Sequence, residues 1–231
     1  MKGSKHIQQL TDGVTVPRRR VVIGMAAVPL ALSLGEALGQ AGGEVALPPA
    51  QTDGGMPLMQ ALKARRTLRN FAPEELTPQT LSNLLWAAFG VNRPDGHRTA
   101  PSARNWQEVD IYVVTYDGTW VYDAKPHALR RIASGDLRPL TGTQGHSRVA
   151  PVTLVYVADT RRMTGASEAM RIEFAAADTG FIAQNAYLYC ASEGLICVVF
   201  AAIDRDRLAQ ALKLDPAQRI VLAQSVGHRA R

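Results

Sequence analysis

The chain has 231 residues, 46% of them hydrophobic and 20% charged, with 26 Lys and Arg against 20 Asp and Glu. That composition suits one folded domain and excludes a disordered chain, a collagen-like repeat and a disulfide scaffold, since two cysteines could not staple one. The formal charge of +6 does not point to a nucleic-acid partner, because half of it, +3, lies within residues 1–41.

Those first 41 residues read as an export signal. Arg18, Arg19 and Arg20 precede an apolar run, Val21 to Leu34, of 14 residues. A membrane-spanning helix needs roughly 20, so no stable membrane span is expected. Gly39 and Ala41 supply small residues for cleavage after about position 39–41. Adjacent arginines before a modest apolar core resemble a twin-arginine signal; an ordinary secretory signal and an uncleaved anchor are the alternatives. The expected location is therefore periplasmic or exported. Residues 42–54, with Leu47-Pro48-Pro49-Ala50, read as an extended, loosely held linker, and residues 55–231 as the folded domain.

Within that domain the spacing of Leu58, Met59 and Leu62 predicts a helix over residues 56–66, ending in basic residues as a helix C-terminus prefers. Thr77-Pro78 opens a second helix in cap-then-proline order, with Leu81, Leu84, Leu85 and Ala88 as its buried stripe and Gly90 closing it. Residues 109–116 and 152–158 are rich in β-branched and aromatic residues and predict strands, the second buried on both faces. A short helix is expected over residues 126–133. Residues 173–193 predict a helix of about five turns, stopped by Gly194, with Phe174, Ala177, Phe181 and Leu188 as its packing stripe. A strand over 195–200, a helix capped by Asp204 and running to Leu212, and a last strand over 219–226 complete the chain. Helices and strands mixed in this way, with one long apolar helix, predict an α+β layered domain.

Several chemistries lack their motifs. No G-x-G-x-x-G follows a strand, no P-loop and no G-x-S-x-G elbow occurs, and the five histidines show no metal-ligand spacing. Cys190 and Cys197 read as two small buried residues. Three segments do carry chemistry. Arg65-Arg66-Thr67-Leu68-Arg69 places three guanidiniums and a hydroxyl at a helix end, a set able to surround a phosphate or merely to complement the helix dipole. Pro101-Ser102-Ala103-Arg104-Asn105-Trp106-Gln107 is a short polar loop entering a strand, suited to ligand contacts or to an ordinary turn. Gly227-His228-Arg229 ends the last strand with a glycine and a further arginine, a ligand contact or a frayed basic tail.

In this order the three segments resemble the nitroreductase family of FMN-dependent oxidoreductases. Its opening Arg-Arg-Ser-x-Arg-x-Phe pattern stands here as Arg65-Arg66-Thr67-Leu68-Arg69-Asn70-Phe71, and its Pro-Ser-x-x-Asn-x-Gln as Pro101 to Gln107, with Glu108-Val109 in place of the usual Pro-Trp. A long helix ending Gly194-Leu195 leads to Ala201-Ala202 and Asp204, and the family's closing Val-Gly stands as Val226-Gly227. The resemblance covers about residues 56–231 and is closest to the branch of SagB-type, thiazole/oxazoline-oxidase-like dehydrogenases.

The resemblance implies an interwoven homodimer with FMN at its interface. Arg65, Arg66 and Arg69, with the Thr67 hydroxyl, would hold the phosphate and ribityl chain. Pro101, Ser102, Ala103 and Asn105 would approach the flavin, Ser102 and Asn105 doing so from the second subunit. Ala201 and Ala202 would bring backbone N–H groups to the flavin, where many relatives carry Glu-Gly; Gln144, Gly227 and Arg229 complete the expected contacts. Ping-pong hydride transfer through the flavin needs no side chain as acid or base, so no catalytic residue is assigned. The expected acceptor is a small nitro compound, quinone or heterocycle, or the protein oxidises a substrate. NAD(P)H is the usual family donor, while an exported enzyme would need another donor or use O2. A non-catalytic FMN carrier on the same fold and a flavin-free exported interaction domain are the competing readings.

Overall fold

A computed structural model describes residues 43–231, so the expected signal segment, residues 1–41, lies outside the described residues. The elements are, in chain order, β1 (Glu44–Ala46), α1 (Leu58–Ala64), α2 (Pro78–Phe89), β2 (Val109–Val114), β3 (Gly118–Asp123), β4 (Ala128–Ser134), α3 (Arg138–Thr141), α4 (His146–Val149), β5 (Val152–Asp159), α5 (Glu168–Ser192), β6 (Ile196–Phe200), α6 (Arg205–Leu212) and β7 (Gln218–Gly227). The strands form one seven-stranded sheet in the order β1-β4-β3-β2-β5-β7-β6, and every neighbouring pair is antiparallel.

The period-2 geometry of a strand sends alternate side chains to opposite faces, and both faces are covered. Ile111, Val113, Leu154 and Tyr156 pack on one face beneath α2 and α5. Tyr112, Val114, Val155 and Val157 pack on the other with Leu208 and Leu212 of α6. Every residue of β5 is buried, as its run of β-branched and aromatic residues predicts. In α2 the Thr77 side chain accepts from the Thr80 N–H, Pro78 occupies the first turn, and Leu81, Leu84, Leu85 and Ala88 are all fully buried. Each such leucine contributes about 1.5–3 kcal/mol of transfer free energy.

Three expectations are corrected. Residues 128–134 form β4 rather than a helix, because they pair along their length with β3; cross-strand pairing outweighs the helix preference of the Ala-Leu-Arg-Arg run. The long helix begins at Glu168, capped by Ser167, and packs through a different stripe. Ala175, Asp178, Thr179, Ile182, Ala183, Ala186 and Cys190 face the sheet, whereas Phe181 is 49% exposed. Small residues let the helix axis approach the sheet closely, and the larger stripe of Phe174, Ala177, Phe181 and Leu188 turns away. Finally, the stretch expected to be loosely held is bonded along the sheet edge. β1 pairs with β4, Leu47 is buried, the Pro48 carbonyl accepts from the Ser82 hydroxyl and the Pro49 carbonyl from the Gln79 amide.

Candidate functional site

The arginine segment begins where α1 stops. Arg65 is the C-cap of that helix, and its N–H closes the last turn on the Ala61 carbonyl. The chain then runs extended between β6 and the C-terminal tail. Thr67 forms a parallel bridge with Cys197, and the Leu68 N–H donates to the Cys197 carbonyl at 3.2 Å. On the other side Phe71 bridges Arg229, the Ala72 N–H donates to the His228 carbonyl at 2.9 Å and the Ala230 N–H to that of Asn70 at 2.9 Å. Gly227 is required by close approach: a Cβ there would lie 2.6 Å from Cδ of Pro151 and 3.2 Å from the Phe71 ring.

Tyr187 of α5 organises the side chains above this segment. The Arg65 guanidinium lies over its ring at 5.3 Å, a cation–π contact. Its hydroxyl sits 3.0 Å from Thr67 Oγ1 and accepts from the Val199 N–H at 2.9 Å. Arg66 folds back to donate to the carbonyls of Lys63 and Arg65, at 2.7 and 2.9 Å, and lines a cavity of about 210 Å3 with Tyr187, Cys197 and Arg229. Both cysteines are buried with free thiols. Among the described residues no carboxylate lies within ion-pair distance of Arg65, Arg66, Arg69 or Arg229.

Arg69 opens onto a neighbouring cavity of about 380 Å3 with Phe71, Gln144 and His146. The His146 ring stacks near Phe71 and meets Phe200 edge-on, with centroids 6.3 and 4.9 Å apart. Neither ring nitrogen finds a hydrogen-bond partner in the protein. Burial first, and the charge of Arg69 second, push the imidazole below its ordinary range. Ala201 and Ala202 are exposed at the end of β6. The Ala202 carbonyl accepts from the Thr143 N–H at 2.9 Å and the Ala201 carbonyl from Arg205 at 3.3 Å, which fixes this turn beside Gln144.

Pro101, Ser102, Ala103 and Asn105 stand apart from these groups. Their loop is held by the Asp178 carboxylate of α5, which accepts from the Ala103 N–H at 2.8 Å. Asp178 and Tyr187 are nine residues apart on one helix, which separates them by about 13 Å along its axis and places them on opposite sides. The structure therefore divides the expected residues into two groups. Arg65, Arg66, Thr67, Arg69, Gln144, Ala201, Ala202, Gly227 and Arg229 gather at one end of the sheet, and the 101–105 loop lies across α5.

The sequence reading missed Tyr187, His146, Glu108 and Asp178. Glu108 left a trace, since it occupies the place of the usual proline. It is completely buried, and burial, reinforced by the Asp178 carboxylate, raises its carboxyl to about 7. Asp178 and Tyr187 were hidden within a run read only for its apolar period.

A model of the Nitroreductase family matches residues 62–228. The chain belongs to the nitroreductase family. Among solved structures, a protein of Ralstonia eutropha JMP134 provisionally assigned as a nitroreductase is 39% identical, with a TM-score of 0.79, over 87% of this chain and 93% of that one. A Methanocaldococcus jannaschii protein, also provisionally assigned as a nitroreductase, is 29% identical over 68% of this chain and 84% of its own length. The NADPH:FMN oxidoreductase of Vibrio harveyi, solved with NAD+, shares the fold at 20% identity and a TM-score of 0.58, over 75% of this chain and 69% of that one. This nitroreductase-family chain thus carries an α+β fold suited to a flavin-dependent oxidoreductase.

Proposed function

We propose that this protein is an exported, FMN-dependent oxidoreductase that passes reducing equivalents from a donor to a small organic acceptor. The observation that carries the reading is the gathering of Arg65, Arg66, Arg69 and Arg229 with no carboxylate in ion-pair distance among the described residues. Four like charges brought together by backbone pairing repel one another, and a phosphate dianion relieves that repulsion while accepting charge-assisted hydrogen bonds. The unpartnered ring nitrogens of His146 beside Arg69 and Gln144 are a second sign that the adjoining cavity suits a polar ligand.

FMN, when bound, supplies hydride chemistry at its ring. The residues of this chain would hold and orient it: Arg65, Arg66, Arg69, Arg229 and the Thr67 hydroxyl along the phosphate and ribityl chain, Gln144 and the Ala201-Ala202 backbone along the ring. The positive charge of Arg69 favours a ring that gains negative charge on reduction.

A homodimer completes the site in this reading. Leu58, Met59 and Leu62 on α1, and Ile172 and Phe181 on α5, are 44–75% exposed. An exposed set of large apolar side chains on two adjacent helices suits a partner surface. Phe181 lies one turn from Asp178, which holds the 101–105 loop, so a partner docked there would receive Ser102 and Asn105. The order of the motifs favours the SagB-type branch, and NAD(P)H is the donor if the protein acts before export. Residues 1–41 would direct export with the flavin already in place. A second reading, a non-catalytic FMN carrier, is favoured by the absence of any side chain beyond a methyl at Ala201 and Ala202.

The test is an absorption spectrum of purified protein lacking residues 1–41, followed by FMN titration. Bands of oxidised flavin, one per chain and bleached by a reductant, are expected; turnover of a quinone or nitroaromatic separates enzyme from carrier. A protein that stays colourless with added FMN overturns the assignment.

A further inference from the structure

Among the described residues, three of the five non-glycine residues with left-handed backbone lie in one loop: Arg104 at φ 51°, Asn105 at 54° and Gln107 at 48°. L side chains rarely adopt that backbone, so the shape persists only if its surroundings impose it. Polar contacts converge on Gln107 to do so. Its N–H donates to Ser102 Oγ at 2.8 Å, and its amide nitrogen donates to Gly96 and Asn105. Its carbonyl and amide oxygens accept from Arg162 and Arg98.

Beneath the loop lie two buried carboxyl groups, Glu108 and Asp178, 0% and 3% exposed. Ser102 donates to Glu108 Oε2 at 3.1 Å and the Ala103 N–H donates to Asp178 Oδ2 at 2.8 Å, so each carboxyl holds one residue of the loop. The other Glu108 oxygen, Oε1, is buried with no hydrogen-bond partner. Four arginines of this corner are engaged elsewhere: Arg162 on Asp110, Arg161 on Asp159, Arg98 over Phe89 and Arg104 over Trp106. Among the described residues none forms an ion pair with Glu108 or Asp178. Two adjacent buried carboxylates without a cation cannot both remain ionised at low cost.

We propose that Glu108 holds a proton beside the Asp178 carboxylate and that the two act as positioning residues that latch residues 101–107 in their strained, ligand-facing shape. With Glu108 protonated the two buried groups sit together at low cost; once Glu108 ionises, repulsion from the Asp178 carboxylate pulls Ser102 and Ala103 from their anchors and the strained backbone relaxes. The raised range of Glu108 places this loss near neutral pH. The loop's contact with FMN rests on the function proposed above, whereas the latch is a property of the protein alone.

Amide hydrogen exchange over residues 102–107, corrected for intrinsic rates, tests the latch without flavin, and FMN titration tests its consequence. The wild-type loop is expected to lose at least tenfold protection between pH 6 and pH 9, with a comparable weakening of FMN binding. Glu108→Gln, which keeps an acceptor for Ser102 and offers Asp178 an N–H, should reduce both changes to less than twofold. Asp178→Asn should do the same if the first variant folds poorly. Equal loss in wild type and variants, or no loss in wild type, overturns the proposal. A chain that takes up no FMN at any pH yet shows the expected exchange pattern sinks the flavin reading and keeps the latch; pH-independent FMN binding with an unchanging loop does the reverse.

Discussion

At the arginine end of the sheet, main-chain bonds from β6 and from the C-terminal tail clamp residues 65–71, and the Arg69 and Arg229 guanidiniums are left without acidic partners. Across α5 the arrangement is inverted: in the 101–107 loop side chains do the holding, the backbone is strained, and Arg98, Arg104, Arg161 and Arg162 are all engaged while two buried carboxyl groups go without a cation. The first region is a rigid frame presenting surplus charge, so its substitutions should change affinity and spare the fold. The second is a shape imposed by a polar network, so its substitutions should change conformation and its response to pH.

The comparison breaks most completely if the two regions never meet across a dimer. Phe181→Glu combined with Met59→Glu should convert a dimer to a monomer in size-exclusion chromatography and lower FMN affinity at least a hundredfold; a monomeric wild type, or a monomeric variant that keeps FMN, would show that one chain carries the whole site. Next in size, Arg69→Ala should weaken FMN binding by one to two decades, from the loss of about 1.5–3 kcal/mol of charge-assisted contact, with the melting temperature of the flavin-free protein unchanged. Arg69 is a cleaner probe than Arg66, which also satisfies two carbonyls at the end of α1.

Stability measurements sharpen the contrast further. Gly227→Ala drives a methyl into Pro151 and Phe71 and should cost about 1–3 kcal/mol, read as a lower melting temperature. For Glu108 the folded-state range is raised above the unfolded one, so its contribution is fully present below the unfolded value and lost as pH rises through about 7. Wild type should accordingly lose on the order of 1–3 kcal/mol between pH 5 and 9, and Glu108→Gln should flatten that slope in urea titrations at several pH values. The smallest effect is expected at Arg104. Replacing it with glycine relieves a left-handed residue and should leave stability within about 1 kcal/mol, whereas Arg104→Val should cost more than that.

Much of the fold was legible where one local signal had one meaning. The Thr77-Pro78 start, the β-branched and aromatic run of β5 and the Asp204 cap each appear as the sequence implies. Two errors arose where a signal had two. Ala128 to Ala133 is a good helix sequence, yet Gly118 to Asp123 offers it a strand partner, and pairing is not visible in either segment alone. The period of Phe174, Ala177, Phe181 and Leu188 is real, but period alone does not say whether the protein's own sheet or another surface lies opposite. Of the candidate site, the arginine cluster was visible as charge density. Glu108 and Asp178 were not, because two acids 70 positions apart become a pair only when α5 packs beneath the loop.

The N-terminal strap has a practical consequence. β1 occupies the hydrogen-bonding edge of β4, and the chain after it is fastened through Pro48 to Ser82, whose hydroxyl also meets His127 at 2.7 Å. A chain cut at residue 55 would keep every arginine of the site yet bare an open strand, the kind of surface that recruits further strands from other molecules. Recombinant versions begun at residue 43 should stay dispersed, while shorter ones should form soluble aggregates detectable by light scattering.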